Sequence, residues 1–223
     1  MGDREHAMNT NYEVFYNKPL TEILDLASSK SHVPGGGSVS AISATLGSSM
    51  GAMVANLTIG KPGYEDRAPE VSAILKEMVE GIEEIKRLTL ADMQAFDSLL
   101  LAYRLPRATE DEKSKRREEI DKNTILAATV PLKISQKARD LLLHNKRLSE
   151  IGNGGVVNDC AVACILLESA ARAAMLSVDV NLDSIKDEVV KKEISAKKEE
   201  VLKDSKKAME ETLAVVASRD KKL

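Results

Sequence analysis

The longest stretch without a charged side chain constrains the fold of this chain most. No Asp, Glu, Lys or Arg occurs between Lys30 and Lys61, although 30% of the 223 residues are charged. The tract includes the glycine triplet Gly35–Gly37 and continues with small and apolar residues. Because a helix without charge on any side belongs inside a protein, the tract predicts a buried helix over residues 38–59.

A membrane span is the alternative for this tract, since residues 38–60 are long enough to cross a bilayer. Ser, Thr, Asn and Gly interrupt the stretch throughout, however, and Leu, Ile and Val are few. Its small residues Ser43, Gly47, Gly51 and Ala55 follow one another at intervals of four, which makes a ridge on one helix face where another backbone can approach. We therefore expect no membrane span, but a helix at the centre of a monomer or, preferably, in the core of a homodimer.

Glycine and proline are sparse elsewhere and divide the chain into long helical blocks. Thr109 and Glu112 have the spacing of a capping box, and Pro131 is expected to kink or split the helix that they open. Ser184, with Asp187 three residues on, predicts the start of the last helix. The predicted helices are 19–29, 38–59, 69–103, 109–148, 157–179 and 184 to near the C-terminus.

No stretch alternates between apolar and polar residues as a strand would. The sequence therefore predicts an all-α fold, a mostly antiparallel bundle of about six long helices. A single domain is expected over residues 18–223, behind a flexible leader at residues 1–17.

Composition excludes several classes of function. The formal net charge is −3 and tryptophan is absent, so neither a basic footprint nor aromatic stacking for nucleic acid is expected. The three histidines are far apart and no metal-binding motif is visible. Cys160 and Cys164 lie one helical turn apart, which suits a disulfide poorly and predicts reduced, buried thiols. The polar N-terminus lacks a signal-peptide core, so a cytoplasmic location is expected.

One carboxylate interrupts the apolar stripe of the third helix. The stripe includes Met78, Ile85 and Phe96, and Asp92 occupies the position that continues it. A buried carboxylate is costly unless it is paired or protonated, and burial raises its pKa toward the range of general acid–base catalysis. The alternative is an aspartate that is paired with a buried lysine or hydrogen-bonded at a kink.

Two further features are candidate parts of a site. Asp159, beside Asn158, lies at the start of the fifth helix, where an acidic residue also simply stabilises the helix dipole. Gly35, Gly36, Gly37 and Ser38 precede or open the second helix, so their N–H groups can bind a carboxylate or phosphate. The glycines match neither the phosphate-binding loop nor the dinucleotide fingerprint, and a loop between two helices also favours glycine.

Several motifs in order resemble one known family. These are "VPGGGSVSAISATLGSSMGAMVANLTIGKPGYE", "DMQAFDSLLLAYRLPRATEDEKSKR", "VPLKISQKA", "GNGGVVNDCAVAC" and "SVDVNLDSIKD". Together they resemble the cyclodeaminase/cyclohydrolase domain of the formiminotransferase-cyclodeaminase family over residues 19–215. The resemblance implies an all-helical homodimer in folate one-carbon metabolism, and it places the family's catalytic aspartate on Asp92.

The resemblance implies conversion of 5-formiminotetrahydrofolate to 5,10-methenyltetrahydrofolate with release of ammonia, without a metal or other cofactor. The alternative within the family is a methenyltetrahydrofolate cyclohydrolase that forms 10-formyltetrahydrofolate. In that reaction Asp159 would stabilise the methenyl cation. An inactive helical binding or scaffold protein is the alternative of another class.

The substrate itself suggests further site residues. The glutamate tail of folate is anionic, so the amides of residues 35–38, Lys61 or Arg104 are expected to bind the tail or to orient the pterin. Asn158, which stands where relatives often have serine, is counted with these substrate-binding residues.

Overall fold

The computed structural model describes residues 12–219, and within them six α-helices and no strand are present. Three short 3-10 turns accompany the helices at Tyr12–Asn17, Glu65–Arg67 and Gly154–Val156. The expected all-α fold is confirmed. The helices are α1 Leu20–Ala27, α2 Gly36–Asn56, α3 Ala68–Tyr103, α4 Glu110–Ile151, α5 Val157–Leu182 and α6 Glu188–Arg219.

The end of the expected leader is part of the folded domain. Phe15, in the 3-10 turn Tyr12–Asn17, is buried, and the hydroxyl of Tyr16 lies 2.8 Å from Thr89 Oγ1 on α3. These contacts attach the turn to the bundle. Residues 1–11, for which flexibility was expected, lie outside the described residues.

Neighbouring helices are mostly antiparallel, as expected. In α2 and α3, in α3 and α4, and in α4 and α5, residue numbers rise in opposite directions along the contact. α4 and α6 are an exception and run parallel, because residue numbers rise in both helices from the ion pair Arg139–Asp204 to the ion pair Lys146–Glu211. The antiparallel contacts are Gly37–Asp92 and Gly51–Met78 between α2 and α3, Gly81–Leu141 and Glu84–Lys137 between α3 and α4, and Ser135–Ala171 and Asn145–Cys160 between α4 and α5.

The small residues of α2 allow three helices to approach it closely. A Cβ atom at Gly47 would lie 3.0 Å from Leu167 Cγ on α5, and one at Gly51 would lie 3.1 Å from Met78 Cε on α3 and 3.3 Å from Asn145 Oδ1 on α4. Such distances are too short for a side chain without movement of its neighbours. The predicted ridge is therefore a packing surface, although its two glycines face different helices.

Helix α4 begins as predicted and continues past its proline. Thr109 Oγ1 accepts a hydrogen bond from the Glu112 N–H, and the Glu112 carboxylate accepts one from the Thr109 N–H, which completes the capping box. Pro131 lies inside the unbroken helix, so the expectation of a split was wrong. Proline cannot donate to the carbonyl of Ala127 four residues earlier. The Asn181 side-chain amide, from the last turn of α5, donates to that carbonyl instead at 3.3 Å.

The last helix starts later than expected. The Asp187 carboxylate accepts hydrogen bonds from the N–H groups of Val189 and Val190 at 2.9 and 3.2 Å, and α6 begins at Glu188. Ser184 instead donates its backbone N–H to the Asn181 carbonyl, in the turn that ends α5. Asp and Ser are comparable N-cap residues, and because Ser184 lies in the turn that ends α5, Asp187 provides the cap.

The bond between Asn181 and Ala127 predicts an energetic coupling with Pro131. Asn181→Ala should lower the free energy of unfolding by about 1–3 kcal/mol, because it leaves a carbonyl in the middle of α4 without this donor. In a Pro131→Ala background the loss should be smaller, because the substituted alanine has a backbone N–H that can donate to the same carbonyl. Urea unfolding of the two single variants and the double variant measures the coupling. An equal loss in both backgrounds would contradict this role of Asn181.

Candidate functional site

The site is centred on the Asp92 carboxyl group, which α3 holds against the first turn of α2. Asp92 Oδ2 accepts a hydrogen bond from Ser38 Oγ at 2.7 Å. A Cβ atom at Gly37 would lie 2.5 Å from Asp92 Oδ1 and 2.7 Å from Oδ2, which is closer than side chains tolerate. Gly37 is therefore required so that the carboxyl group can approach the backbone of α2.

The beginning of α2 offers this carboxyl group hydrogen-bond donors and a favourable dipole. Gly35 is the N-cap residue and has no side chain to cap the helix. The first N–H groups of a helix have no partner within it, and they carry partial positive charge. Asp92, from another helix, supplies the missing acceptor, and the Ser38 backbone N–H is one of its donors.

Burial raises the pKa of the Asp92 carboxyl group above its ordinary value, because removal from water disfavours the charged form. Hydrogen bonds from the hydroxyl and the backbone N–H of Ser38 act in the opposite direction, but they offset only part of this effect. The result is a carboxyl group that holds a proton more strongly than an exposed aspartate does and remains partly open to solvent. This shift is in the direction that suits a general acid–base group, which must both accept and donate a proton.

The stripe on α3 is less buried than its periodicity predicted. Met78, Ile85 and Leu99 lie in the core, but Phe96 and Tyr103 are among the exposed large hydrophobic residues. Phe96 is one turn beyond Asp92, and its ring centroid lies 6.2 Å from that of His32, in the loop before α2. Neither residue was predicted to belong to the site. The signal available in the sequence was that Phe96 follows Asp92 by four residues, but its place in the apolar stripe assigned Phe96 to the core.

Lys61 and Asn158, with Asp159, lie at the other end of α2. α2 and α5 are antiparallel, and Asp159 is in the first turn of α5, whereas Ser177, eighteen residues later, lies beside Gly36. Eighteen helical residues span about 27 Å. Lys61 Nζ donates to Asn153 Oδ1 at 2.8 Å in the loop that precedes α5. The structure therefore separates these residues from Asp92 of the same chain.

Arg104 is also distant from the carboxyl group. It caps the C-terminus of α3 and is exposed. It follows Asp92 by twelve positions, which corresponds to about 18 Å of helix. Of the predicted site residues, only Gly35–Gly37, Ser38 and Asp92 come together within one chain. The expected role of Asp159 beside Asp92 of the same chain is not compatible with this geometry, because periodicity along separate helices does not determine which of their ends meet.

Metal and thiol chemistry find no support in the described residues. Among residues 12–219, no three His, Cys, Asp or Glu side chains are grouped to hold a metal ion. Cys160 and Cys164 are free and buried, and burial raises the pKa of each thiol to about 12. Thiols in this state are unreactive packing groups.

Fold and candidate site together define a class, a helical bundle with one partly desolvated carboxyl group at a glycine-rich helix N-terminus. Residues 19–200 match the family described as formiminotransferase-cyclodeaminase. The chain belongs to this family of folate one-carbon enzymes.

Similar proteins carry two different names. The chain is 35% identical over 175 residues to the methenyltetrahydrofolate cyclohydrolase of Methylorubrum extorquens, which is 77% of this chain and 82% of that protein. It is 30% identical over 203 residues to the formimidoyltransferase-cyclodeaminase of Gallus gallus, covering 91% of this chain and 38% of that protein. The crystal structure of formiminotetrahydrofolate cyclodeaminase from Thermotoga maritima matches with a TM-score of 0.83 at 27% identity, over 91% of this chain and 98% of that one.

The contact between Gly37 and Asp92 predicts that substitution by alanine changes the free energy of unfolding very differently at two adjacent glycines. Gly37→Ala should lower the free energy of unfolding by about 1–3 kcal/mol, because its Cβ atom displaces the carboxyl group. Gly36→Ala is the matched control, since its Cβ atom would lie 3.7 Å from Ser177 Oγ, an ordinary contact. In that variant the better helix propensity of alanine should leave stability unchanged or raise it by up to about 1 kcal/mol. Chemical denaturation compares them, and equal effects would contradict the close approach.

The raised pKa of Asp92 predicts how stability changes with pH. The folded-state pKa of Asp92 lies above the unfolded one, so the contribution of this group to stability is fully present below the unfolded pKa and is lost as pH rises through the folded pKa. Asp92→Asn cannot ionise, and its stability relative to wild type should therefore be more favourable at pH 8 than at pH 4. Urea unfolding across this range measures the difference, with the exposed Asp183→Asn as control. A difference independent of pH would exclude the assigned burial effect.

Proposed function

We propose that this protein converts 5-formiminotetrahydrofolate to 5,10-methenyltetrahydrofolate and releases ammonia. The observation that carries the proposal is the Asp92 carboxyl group, whose pKa is raised by burial and which faces Ser38 and the backbone of Gly37. The family and the fold shared with the Thermotoga maritima cyclodeaminase support the same reaction.

In the proposed reaction, N10 of the folate attacks the formimino carbon and closes the ring. The bond between this carbon and the departing nitrogen then breaks. The formimino group enters as its protonated cation; Asp92 accepts the proton that N10 loses and donates a proton to the departing nitrogen, which leaves as ammonia, and the positive charge stays on the methenyl product. One carboxyl group with a raised pKa can perform both transfers. This chemistry needs no metal or redox cofactor.

A second candidate is hydrolysis of methenyltetrahydrofolate to 10-formyltetrahydrofolate. The similarity to the Methylorubrum extorquens cyclohydrolase, over 82% of that protein, supports it. In this reaction Asp92 would accept a proton from the water that attacks the methenyl carbon and return it to the ring nitrogen as the ring opens. Asp159 of the same chain is distant. Within one chain, Asp92 would therefore act at this centre without Asp159.

Absorbance of methenyltetrahydrofolate separates the two reactions and tests the role of Asp92. A cyclodeaminase forms this compound from the formimino substrate, whereas a cyclohydrolase consumes it. Asp92→Asn should lower kcat at least about a hundredfold, as expected for loss of a general acid–base group. Asp183→Asn is the control for loss of an aspartate elsewhere.

Two outcomes would contradict the proposal. Turnover retained by folded Asp92→Asn would exclude the proton transfer at this residue. No absorbance change with either compound in the wild type would favour the inactive binding or scaffold protein.

We further propose a homodimer that covers the outward face of α2 and α5. Both helices are long and apolar enough to cross a membrane by length and composition alone, but core helices of soluble proteins pass this test too. About half of each apolar window is buried within one chain, 56% in α2 and 50% in the segment that contains α5. Leu46 on α2 and Ile165 on α5 remain 57% and 46% exposed.

A second copy of the chain fits this face better than a membrane or nucleic acid. α2 and α5 lie side by side and antiparallel, so a two-fold axis can pair the same face of two copies. The neighbouring exposed apolar residues on the two helices are Val39, Val162, Leu176 and Val180. The free, buried thiols of Cys160 and Cys164 fit the reducing cytoplasm that we propose as the location.

The dimer proposal predicts a change in mass when charge enters this face. Wild type should elute as a dimer in size-exclusion chromatography with light scattering, and Leu46→Glu combined with Ile165→Glu should elute as a monomer, because burying unpaired carboxylates is costly. Leu101→Glu, at a similarly exposed site on α3, should remain a dimer. A monomeric wild type would contradict the proposal.

A further inference from the structure

Phe96 is an aromatic ring left on the surface beside the proposed catalytic group. The chain has only two phenylalanines and no tryptophan. Phe15 is buried, whereas Phe96 is 37% exposed. Phe96 follows Asp92 by four residues on α3, a spacing that puts both side chains on the same face. A ring in this position can contact a ligand that reaches Asp92.

His32 faces Phe96 from the loop between α1 and α2. The two ring centroids are 6.2 Å apart and the ring planes are inclined at 48°, so the pair is not a closed parallel stack. The His32 side chain is exposed, and its carbonyl oxygen would lie 3.4 Å from a Cβ atom at Gly35. The loop therefore places an imidazole ring next to the start of α2.

The backbone at the start of α2 carries no side chain where it lies beside α5. Gly36 is exposed, and Ser177 Oγ is the nearest atom to its missing side chain. The Phe96 ring one turn along α3 from Asp92, the His32 ring that faces it and the glycine backbone at the start of α2 thus lie in the neighbourhood of the Asp92 carboxyl group. Planar ligands bind well to such aromatic surfaces, because ring contacts add to the burial of apolar area.

We propose that Phe96 and His32 form the contact surface for the planar ring of the folate next to its reacting one-carbon group. They are binding and positioning residues, which hold that carbon toward Asp92, and they exchange no proton. The inference rests on the proposed function, since it assumes a folate at this site. Two planar rings lie near the reacting carbon. One is the pyrimidine ring of the pterin, which is fused to the reduced ring that contains N5, and the other is the benzoyl ring attached to N10.

Equilibrium binding measured by calorimetry tests the surface without requiring turnover. Tetrahydrofolate is the probe, and Phe96→Ala and His32→Ala should each raise its Kd, Phe96→Ala by about tenfold. Phe96→Tyr and His32→Phe keep a ring and should bind nearly as tightly as wild type. Tyr103→Ala is the matched control, because it removes an exposed ring from the same helix about 10 Å along the axis from Phe96. Its Kd should be unchanged.

Kinetics distinguish binding from a structural role. Phe96→Ala should raise KM more than it lowers kcat, and thermal unfolding should show a folded variant. If Phe96→Ala does not fold, Phe96→Leu, which keeps the apolar bulk without the ring, takes its place and should still weaken binding. The fragments 6-methyltetrahydropterin and p-aminobenzoylglutamate identify the ring, since only the fragment that contacts the pair should lose affinity in the variants.

The outcomes separate this inference from the proposed function. Wild-type binding of tetrahydrofolate with unchanged Kd values in folded Phe96 and His32 variants would overturn the ring surface and leave the proposed reaction intact. Weakened binding in these variants without turnover by wild type would support the surface and refute the reaction. A wild type that binds no tetrahydrofolate would overturn both.

Discussion

The contact between the Asp92 carboxyl group and the first turn of α2 is the interaction on which the site depends. It requires a glycine at position 37, because any Cβ atom there would overlap the carboxyl oxygens. It also requires the antiparallel packing of α2 on α3, which the close approach of Gly51 to Met78 supports further along the two helices. The same packing that buries α2 thus withdraws Asp92 from water and raises its pKa. Core packing and the raised pKa of Asp92 are consequences of one helix arrangement.

Helix α5 connects this site to the middle of the bundle. Its C-terminal part lies beside Gly36 through Ser177, and one turn later Asn181 satisfies the carbonyl that Pro131 leaves without its usual donor. The proline leaves no unpaired carbonyl at Ala127, because the Asn181 side chain of α5 donates to it. The long central helix can therefore continue through Pro131 to Ile151, where Arg67 donates to its last carbonyl at 3.0 Å.

Much of the fold and the central residue of the site could be predicted from the sequence. Glycine and proline positions located the helices, and Thr109 with Glu112 identified the cap of α4 because capping is a local interaction. Asp92 was detectable because a carboxylate interrupted an apolar period. The start of α6 was misplaced because Ser184 and Asp187 both suit a cap, and only the turn that ends α5 selects Asp187. The separation of Lys61 and Asp159 from Asp92 could not be predicted, because it depends on which helix ends meet.

The glycine triplet also changes how related sequences can be compared. Gly37 and Asp92 occupy one shared space, so the two positions cannot vary independently. A relative with a smaller residue at position 92 is released from the constraint and can accept a larger residue at position 37, whereas one that keeps the carboxylate cannot. Substitution at this glycine is thus expected in relatives whose residue at position 92 is smaller than aspartate, and not in those where a residue of similar shape has replaced it.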